Sequence, residues 1–242
     1  MRELFKGFAL AISMLTTVPF FKIHDFYKGI NGYAVMFYPL VGFLLGAVLW
    51  GTHALLSPHI ASAHLGIIIF VLWVLLTGAL HLDGFSDTVD GLYAPKERAL
   101  EVMKDSHVGG MGMIFGVTFL ILKASSLAYF ELFYLLPLIL MLSRLNAVLA
   151  IYFYPYISKS GMGTLAKEEL TKPQMLIALF YSFLIVLFYN KLLLLVSALL
   201  VLFVIKSIFV KRYGGFTGDI YGFTIEVTEL VLLNALLFGF FA

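Results

Sequence analysis

Asp83, Asp87 and Asp90 stand four and then three residues apart, which on a helix sets their carboxylates on one face with neighbours roughly 5–6 Å apart. Three anions that close repel one another, so the chain either hydrates them or neutralises them with a cation. Several hard oxygen donors suit Mg²⁺, Mn²⁺ or Ca²⁺. Gly84 and Gly91 each follow an aspartate, where the missing side chain lets a ligand phosphate approach. His81, near the end of an apolar run, fits a packing histidine, a metal ligand or an acid–base group equally well. Asp105 closes the same polar stretch, 81–105. It either caps the next helix, directly or through Ser106, or touches a substrate. The run Gly109-Gly110-x-Gly112 that follows offers backbone N–H groups to an anion at a helix start, or small-residue packing between membrane helices.

A second acidic set lies near the C-terminus. Glu226 is seven residues from Asp219, and Glu229 three further on, again one helical face. Both glutamates sit in an apolar run, so they must face protein or water rather than lipid. Before them, Gly214-Gly215-x-Thr217-Gly218 is either a phosphate-binding turn rich in N–H groups or an ordinary glycine turn. Arg144 falls within a further apolar run, where a bare guanidinium costs at least about 2.5–3.5 kcal/mol. Its partner is a carboxylate of the acidic stretch, a substrate phosphate, or a purely structural acid.

The elements that must position these groups are membrane helices. A hydrophobic fraction of 62%, only 12% charged residues and a mean hydropathy of +1.00 lie outside the soluble globular range. The expectation is an all-α polytopic bundle of about seven to eight membrane segments, a single integral domain over residues 1–242. Residues 1–20 are short for a span, carry no small-x-small cleavage site and read as a retained interfacial, re-entrant or marginal segment. Pro19, Lys22 and Lys28 fit that reading. Spans follow at 32–56, 60–80, 109–130 and 132–154. The run 175–210 is too long for one straight crossing and reads as a hairpin turning at Asn190-Lys191. A last span covers 224–242. There are no cysteines, so thiolate chemistry and Cys-based metal sites are excluded. The net charge of +2 gives no reason to expect nucleic acid.

This count puts the polar loops 81–105, 155–173 and 211–223 on one face. The same face carries Lys22, Lys28, Lys96, Arg98, Lys104, Lys159, Lys167, Lys172, Lys211 and Arg212. The bias of basic residues makes it cytoplasmic. Acids, glycine turns and bases gathered on one membrane face are what metal-assisted phosphoryl transfer requires. An ion-coupled transporter with an acid relay would also need intramembrane carboxylates, but not three glycine-bearing polar loops together. A phosphatidyltransferase of the CDP-alcohol type is the other alternative.

The motifs themselves carry a resemblance. Thr77-Gly78-x-x-His81-Leu82-Asp83-Gly84-x-x-Asp87-Thr88-x-Asp90-Gly91 is followed by Glu101-x-Met103-Lys104-Asp105-Ser106-x-x-Gly109, Ser143-Arg144, and Gly214-Gly215-x-Thr217-Gly218-Asp219 with Glu226 and Glu229. With Tyr38-Pro39-Leu40-Val41-Gly42, they resemble the cobalamin synthase family, the adenosylcobinamide-GDP ribazoletransferases, over nearly the whole chain. Lys104 stands where arginine is expected. The resemblance implies a Mg²⁺-dependent transferase of the prokaryotic cell membrane that joins α-ribazole, or its 5′-phosphate, to adenosylcobinamide-GDP with loss of GMP. It implies metal ligation by Asp83, Asp87 and Asp90, and help to the hydroxyl from Asp105 and His81. Phosphate contacts fall to Lys104, Ser106 and Arg144. Gly214, Gly215, Thr217, Gly218, Asp219, Glu226 and Glu229 make up the rest of the substrate site. Membrane lipid and small molecules are the expected partners, and a homo-oligomer is left open.

Overall fold

Backbone polar groups in hydrocarbon must be satisfied within the chain, and helices do this locally. The computed structural model describes residues 2–18, 27–105, 107–158 and 161–240. Pro19, Lys22, Ser106 and Lys159 lie outside the described residues. Helix α1 (Arg2–Leu15) has 14 residues, about 21 Å at 1.5 Å per residue and short of a ~30 Å core. Helices α2 (Ile30–Met36) and α3 (Tyr38–Leu56) meet at Phe37. Helices α4 (Ser62–Thr77) and α5 (Leu80–Tyr93) are bent by 86°, because Gly78 and Ala79 both take left-handed backbone, φ 59° and 56°. Glycine adopts this at no steric cost, whereas an alanine is strained there.

The chain continues through α6 (Ala99–Val102), α7 (Gly110–Ala128), a 3₁₀ turn at Phe133–Leu135, α8 (Leu136–Phe153), α9 (Met162–Glu169), α10 (Lys172–Phe188), α11 (Leu192–Tyr213) and α12 (Gly218–Leu237). Among the described residues five helical segments are long and apolar enough to cross a membrane, and up to seven if each bent pair counts as one span. The all-α polytopic bundle expected from the sequence is what forms. The break expected at Asn190-Lys191 is there too: Asn190, φ 52°, separates α10 from α11.

Two of the boundaries that differ from expectation shorten the third polar loop. Helix α11 continues to Tyr213, which places Lys211 and Arg212 in its last turn, where cations favour the helix dipole. Arg212 donates to the Leu92 carbonyl at 2.8 Å. The final helix starts at Gly218 rather than 224, because the Thr217 hydroxyl accepts from the Ile220 N–H and caps it. The third polar loop is therefore only residues 214–217.

Helix α8 is the central post, buried from Leu136 to Ile151. Gly42 and Gly46 of α3 lie against its backbone at Leu140 and Leu136, with no room for a Cβ; such small residues let membrane helices approach closely. Gly84 and Gly222 do the same between α5 and α12. Phe85 stacks on Phe223 at 5.3 Å and touches Phe119 at 4.4 Å, which fastens α5, α12 and α7 together. The second and third polar loops are pinned by backbone hydrogen bonds, Phe216 N–H to Pro155 at 2.8 Å and Ile157 N–H to Phe216 at 2.9 Å.

Candidate active site

A cavity of about 620 Å³ opens where the three polar segments meet. Helix α5 contributes His81, Asp83, Gly84 and Asp87. The stretch after α6 contributes Lys104 and Asp105, and the start of α12 contributes Thr217, Gly218 and Asp219. These come from sites more than 100 residues apart, yet they share one space because α5 and α12 touch at Gly84. Asp83, Lys104 and Asp105 are exposed and Asp87 and Asp219 half-buried, while His81 is buried. The acids thus line the open end.

Electrostatics there favour a positive ligand. Burial, and then the charges of Asp83, Asp219, Asp90 and Asp105, push the Asp87 carboxyl from 3.8 up to about 7. A carboxyl in that position gives up its proton readily only when a cation or a donor offsets the repulsion. Asp105 is the opposite case. The His107 ring and backbone N–H hold its carboxyl below the usual range, through contacts of 2.7 Å and 3.0 Å to Oδ1. Asp105 therefore pairs with His107, and the cap position of α7 falls to Gly109. His107 escaped the sequence reading, although an Asp-x-His pair in a polar loop was the signal.

Asp90 shares the helical face of Asp83 and Asp87 but does not line the cavity. Its carboxylate accepts from the N–H groups of Gly109 at 2.8 Å and Gly112 at 2.7 Å. The anion seated at the glycine-rich start of α7 is thus a side chain of the protein itself. Among the described residues no three His, Asp or Glu side chains form a ready metal cage.

Arg144, Glu226 and Glu229 also stand apart from the cavity. All three are buried. Arg144 Nη1 donates to Glu229 Oε1, which also accepts from Ser143 at 3.2 Å. The fourth member is Lys123 on α7, whose ammonium donates at 2.7 Å to both Glu226 and Glu229 and sits 4.1 Å over the Trp73 ring. Two cations against two carboxylates make the group neutral, the condition for burying charge. The partner required for Arg144 is thus the structural acid. Lys123 was not singled out from sequence, though a lysine inside an apolar run is the same signal as Arg144.

The glycine turn divides likewise. Gly214 ends α11 in left-handed backbone, φ 85°, and Gly215 lies against Pro155 and Ile157, so both serve the chain turn. Thr217 and Gly218 reach the cavity.

The cobalamin-5-phosphate synthase family model matches residues 7–237. The chain is 39% identical over 208 residues to the adenosylcobinamide-GDP ribazoletransferase of Thermosynechococcus vestitus, covering 83% of this chain and 84% of that one. It is 36% identical over 249 residues to the protein of that name from Desulforamulus reducens, covering 98% of each. To the one from Desulfitobacterium hafniense it is 31% identical over 238 residues, covering 93% of each. No solved structure matches the chain.

Proposed function

The chain belongs to the cobalamin-5-phosphate synthase family, and from that premise we propose that it is the membrane transferase that joins α-ribazole, or its 5′-phosphate, to adenosylcobinamide-GDP. A ribose hydroxyl oxygen other than the 5′ one, free in both α-ribazole and its 5′-phosphate, forms a new bond to the cobinamide-bound phosphorus. The bond from that phosphorus to the bridging oxygen breaks, GMP leaves with the electron pair, and the proton of the attacking group is released. The product is adenosylcobalamin or its 5′-phosphate. Neither the phosphatidyltransferase nor the transporter reading is retained, since the family match covers nearly the whole chain.

The observation that carries the reading is the convergence of Asp83, Asp87, Asp219, Lys104 and Asp105 on one cavity. A diphosphate entering this acidic space needs a counter-charge. Mg²⁺ fits the donor set: it is commonly held by one or two carboxylates together with substrate phosphates and water, without a cage made wholly of protein. Asp83, Asp87 and Asp219 would hold it, and when bound it neutralises charge on the diphosphate and its leaving oxygen. Lys104, exposed at the rim, pairs with phosphate as a point charge. Asp105, kept ionised by His107, accepts the proton. The cavity face is cytoplasmic, in keeping with Lys28, Lys96, Arg98, Lys104, Lys167, Lys211 and Arg212 on that side.

The test is GMP release by the purified protein, with cobalamin formed in equal amount. Asp87→Asn should lower the rate by at least about a hundredfold without unfolding the protein. An Asp87→Asn protein as active as wild type would remove Asp87 from the proposed site.

A further inference from the structure

The second polar segment reaches the cavity as well. Tyr156, Ser158, Gly161 and Gly163 line it together with Gly218 and Asp219. Tyr156 is half-buried, and its hydroxyl oxygen stands among the glycines of that lining. A Cβ built on Gly163 would lie 2.5 Å from this oxygen, and one on Gly161 or Gly218 4.0 Å from it, so glycine at 163 is what leaves the hydroxyl its place. Two features hold the ring there. The backbone on either side of it is paired with Phe216, whose N–H donates to Pro155 and whose carbonyl accepts from Ile157. The ring itself stacks on Tyr221 at 5.9 Å and 22°. Burial raises the phenol above its ordinary value, hydrogen bonding from Ser158 offsets part of this, and the charge of Asp219 adds to it. The hydroxyl is thus protonated and within electrostatic reach of Asp219.

A diphosphate presents only acceptors, and the ionised carboxylates of this cavity are acceptors too. Donor side chains are therefore what the site is short of. Among the described residues that line it, Tyr38 gives its hydroxyl proton to the Met14 sulfur at 3.8 Å, and Thr217 gives its own to Asp219 at 3.2 Å. The Tyr221 hydroxyl and both His81 ring nitrogens are sealed from solvent. Lys104, Tyr156 and Ser158 are the donors that remain. Lys104 is a point charge on a flexible stem, whereas the Tyr156 hydroxyl is fixed by a backbone pairing and a ring stack. We propose that Tyr156 is a further substrate-binding residue of the transferase, its hydroxyl donating a hydrogen bond to a non-bridging oxygen of the adenosylcobinamide-GDP diphosphate. The inference rests on the transferase reading and deepens it. Asp83, Asp87 and Asp219 meet the diphosphate only through a cation, while Tyr156 meets it directly. A donor already held in place binds an oxygen without first having to be ordered. Ser158 donates to the phenol oxygen, which leaves the phenol proton for the ligand.

The experiment compares wild type and Tyr156→Phe in nanodiscs by steady-state KM for each substrate and by thermal unfolding. Tyr156→Phe removes one oxygen atom and keeps the ring on Tyr221. It should raise KM for adenosylcobinamide-GDP about tenfold or more, with KM for α-ribazole and the unfolding midpoint unmoved. Analogues of adenosylcobinamide-GDP with sulfur in place of one non-bridging diphosphate oxygen, each position in turn, locate the contact, because sulfur is a weak acceptor. At one position the analogue should lose several-fold more in wild type than in Tyr156→Phe. An unmoved KM for adenosylcobinamide-GDP, a rise confined to α-ribazole, a lowered unfolding midpoint with both KM values raised, or equal sulfur effects in the two proteins at every position overturns the role of Tyr156 while leaving the transferase standing. Absence of GMP release from wild type overturns the transferase reading, and the role of Tyr156 with it.

Discussion

Gly84 of α5 lies against the backbone of Asp219 in α12, so close that a Cβ at residue 84 would stand 2.9 Å from the Asp219 carbonyl oxygen and 3.1 Å from its Cα. This one contact sets how near the two acidic segments come. Gly84→Ala must therefore push α5 from α12 by a few tenths of an ångström. The expected result is a turnover at least about tenfold lower with a higher Mg²⁺ requirement, because small misplacements at a reacting centre are costly. Activity across a Mg²⁺ titration checks this, and an unaltered titration curve would show that the spacing is irrelevant.

Asp87 and Asp90 should fail differently when substituted. Asp90 ties α5 to the start of α7 through two backbone N–H groups, and hydrogen bonds to a charged group are worth about 1.5–3 kcal/mol each. Asp90→Ala is expected to lower the unfolding midpoint clearly, whereas Asp87→Asn leaves it in place and removes turnover. Paired thermal unfolding and rate measurements separate the two. A stable, inactive Asp90→Ala protein would put Asp90 in the chemistry instead.

The helix that carries these acids was legible in the sequence. The spacing of Asp83, Asp87 and Asp90 correctly implies a helix, and Asn190-Lys191 marks the break between α10 and α11. What the spacing cannot contain is the neighbour: Asp90 is claimed by glycines about 20 residues downstream only because α7 starts beside it. Arg144 announced a buried partner without naming it, since Glu229 is far off in sequence. The join of loops at Phe216 and Pro155 was equally hidden, as no local pattern encodes a single backbone pairing. Gathering of the polar loops followed from counting crossings, and the cavity they line needed the glycine contacts between helices.

Binding of the cation should depend on pH through Asp87. Its carboxyl is raised from 3.8 to about 7 in the folded protein. Without a cation, protonation stabilises the fold: the contribution is fully present below about pH 4 and lost as pH rises through 7. Mg²⁺ competes with that proton, so its affinity should increase from pH 5.5 to 7.5 and level off above. Thermal shift on adding Mg²⁺, larger at pH 8 than at pH 5.5, is the expected outcome. Equal shifts in the wild type and in Asp87→Asn would place the cation elsewhere.

Lys123 should be worth more to the fold than to catalysis. Removing one partner from a buried ion group leaves an uncompensated charge and costs about 3–5 kcal/mol. Lys123→Met is expected to destabilise by that order. Adding Glu226→Gln, which restores neutrality with Arg144 and Glu229, should recover a good part of it. Unfolding in denaturing detergent measures both. A double variant no better than the single one would mean that packing over Trp73, rather than charge balance, is what Lys123 supplies.

The most direct test of the account is GMP release from adenosylcobinamide-GDP and α-ribazole, by protein in nanodiscs with Mg²⁺ present and with Mg²⁺ chelated. The account predicts GMP and cobalamin in equal amounts, abolished by chelation and by Asp87→Asn and restored to the wild type when Mg²⁺ is returned. Turnover that persists with the cation chelated, or in Asp87→Asn at the wild-type rate, would contradict the assignment of the acidic cavity as the site of a cation-assisted transfer.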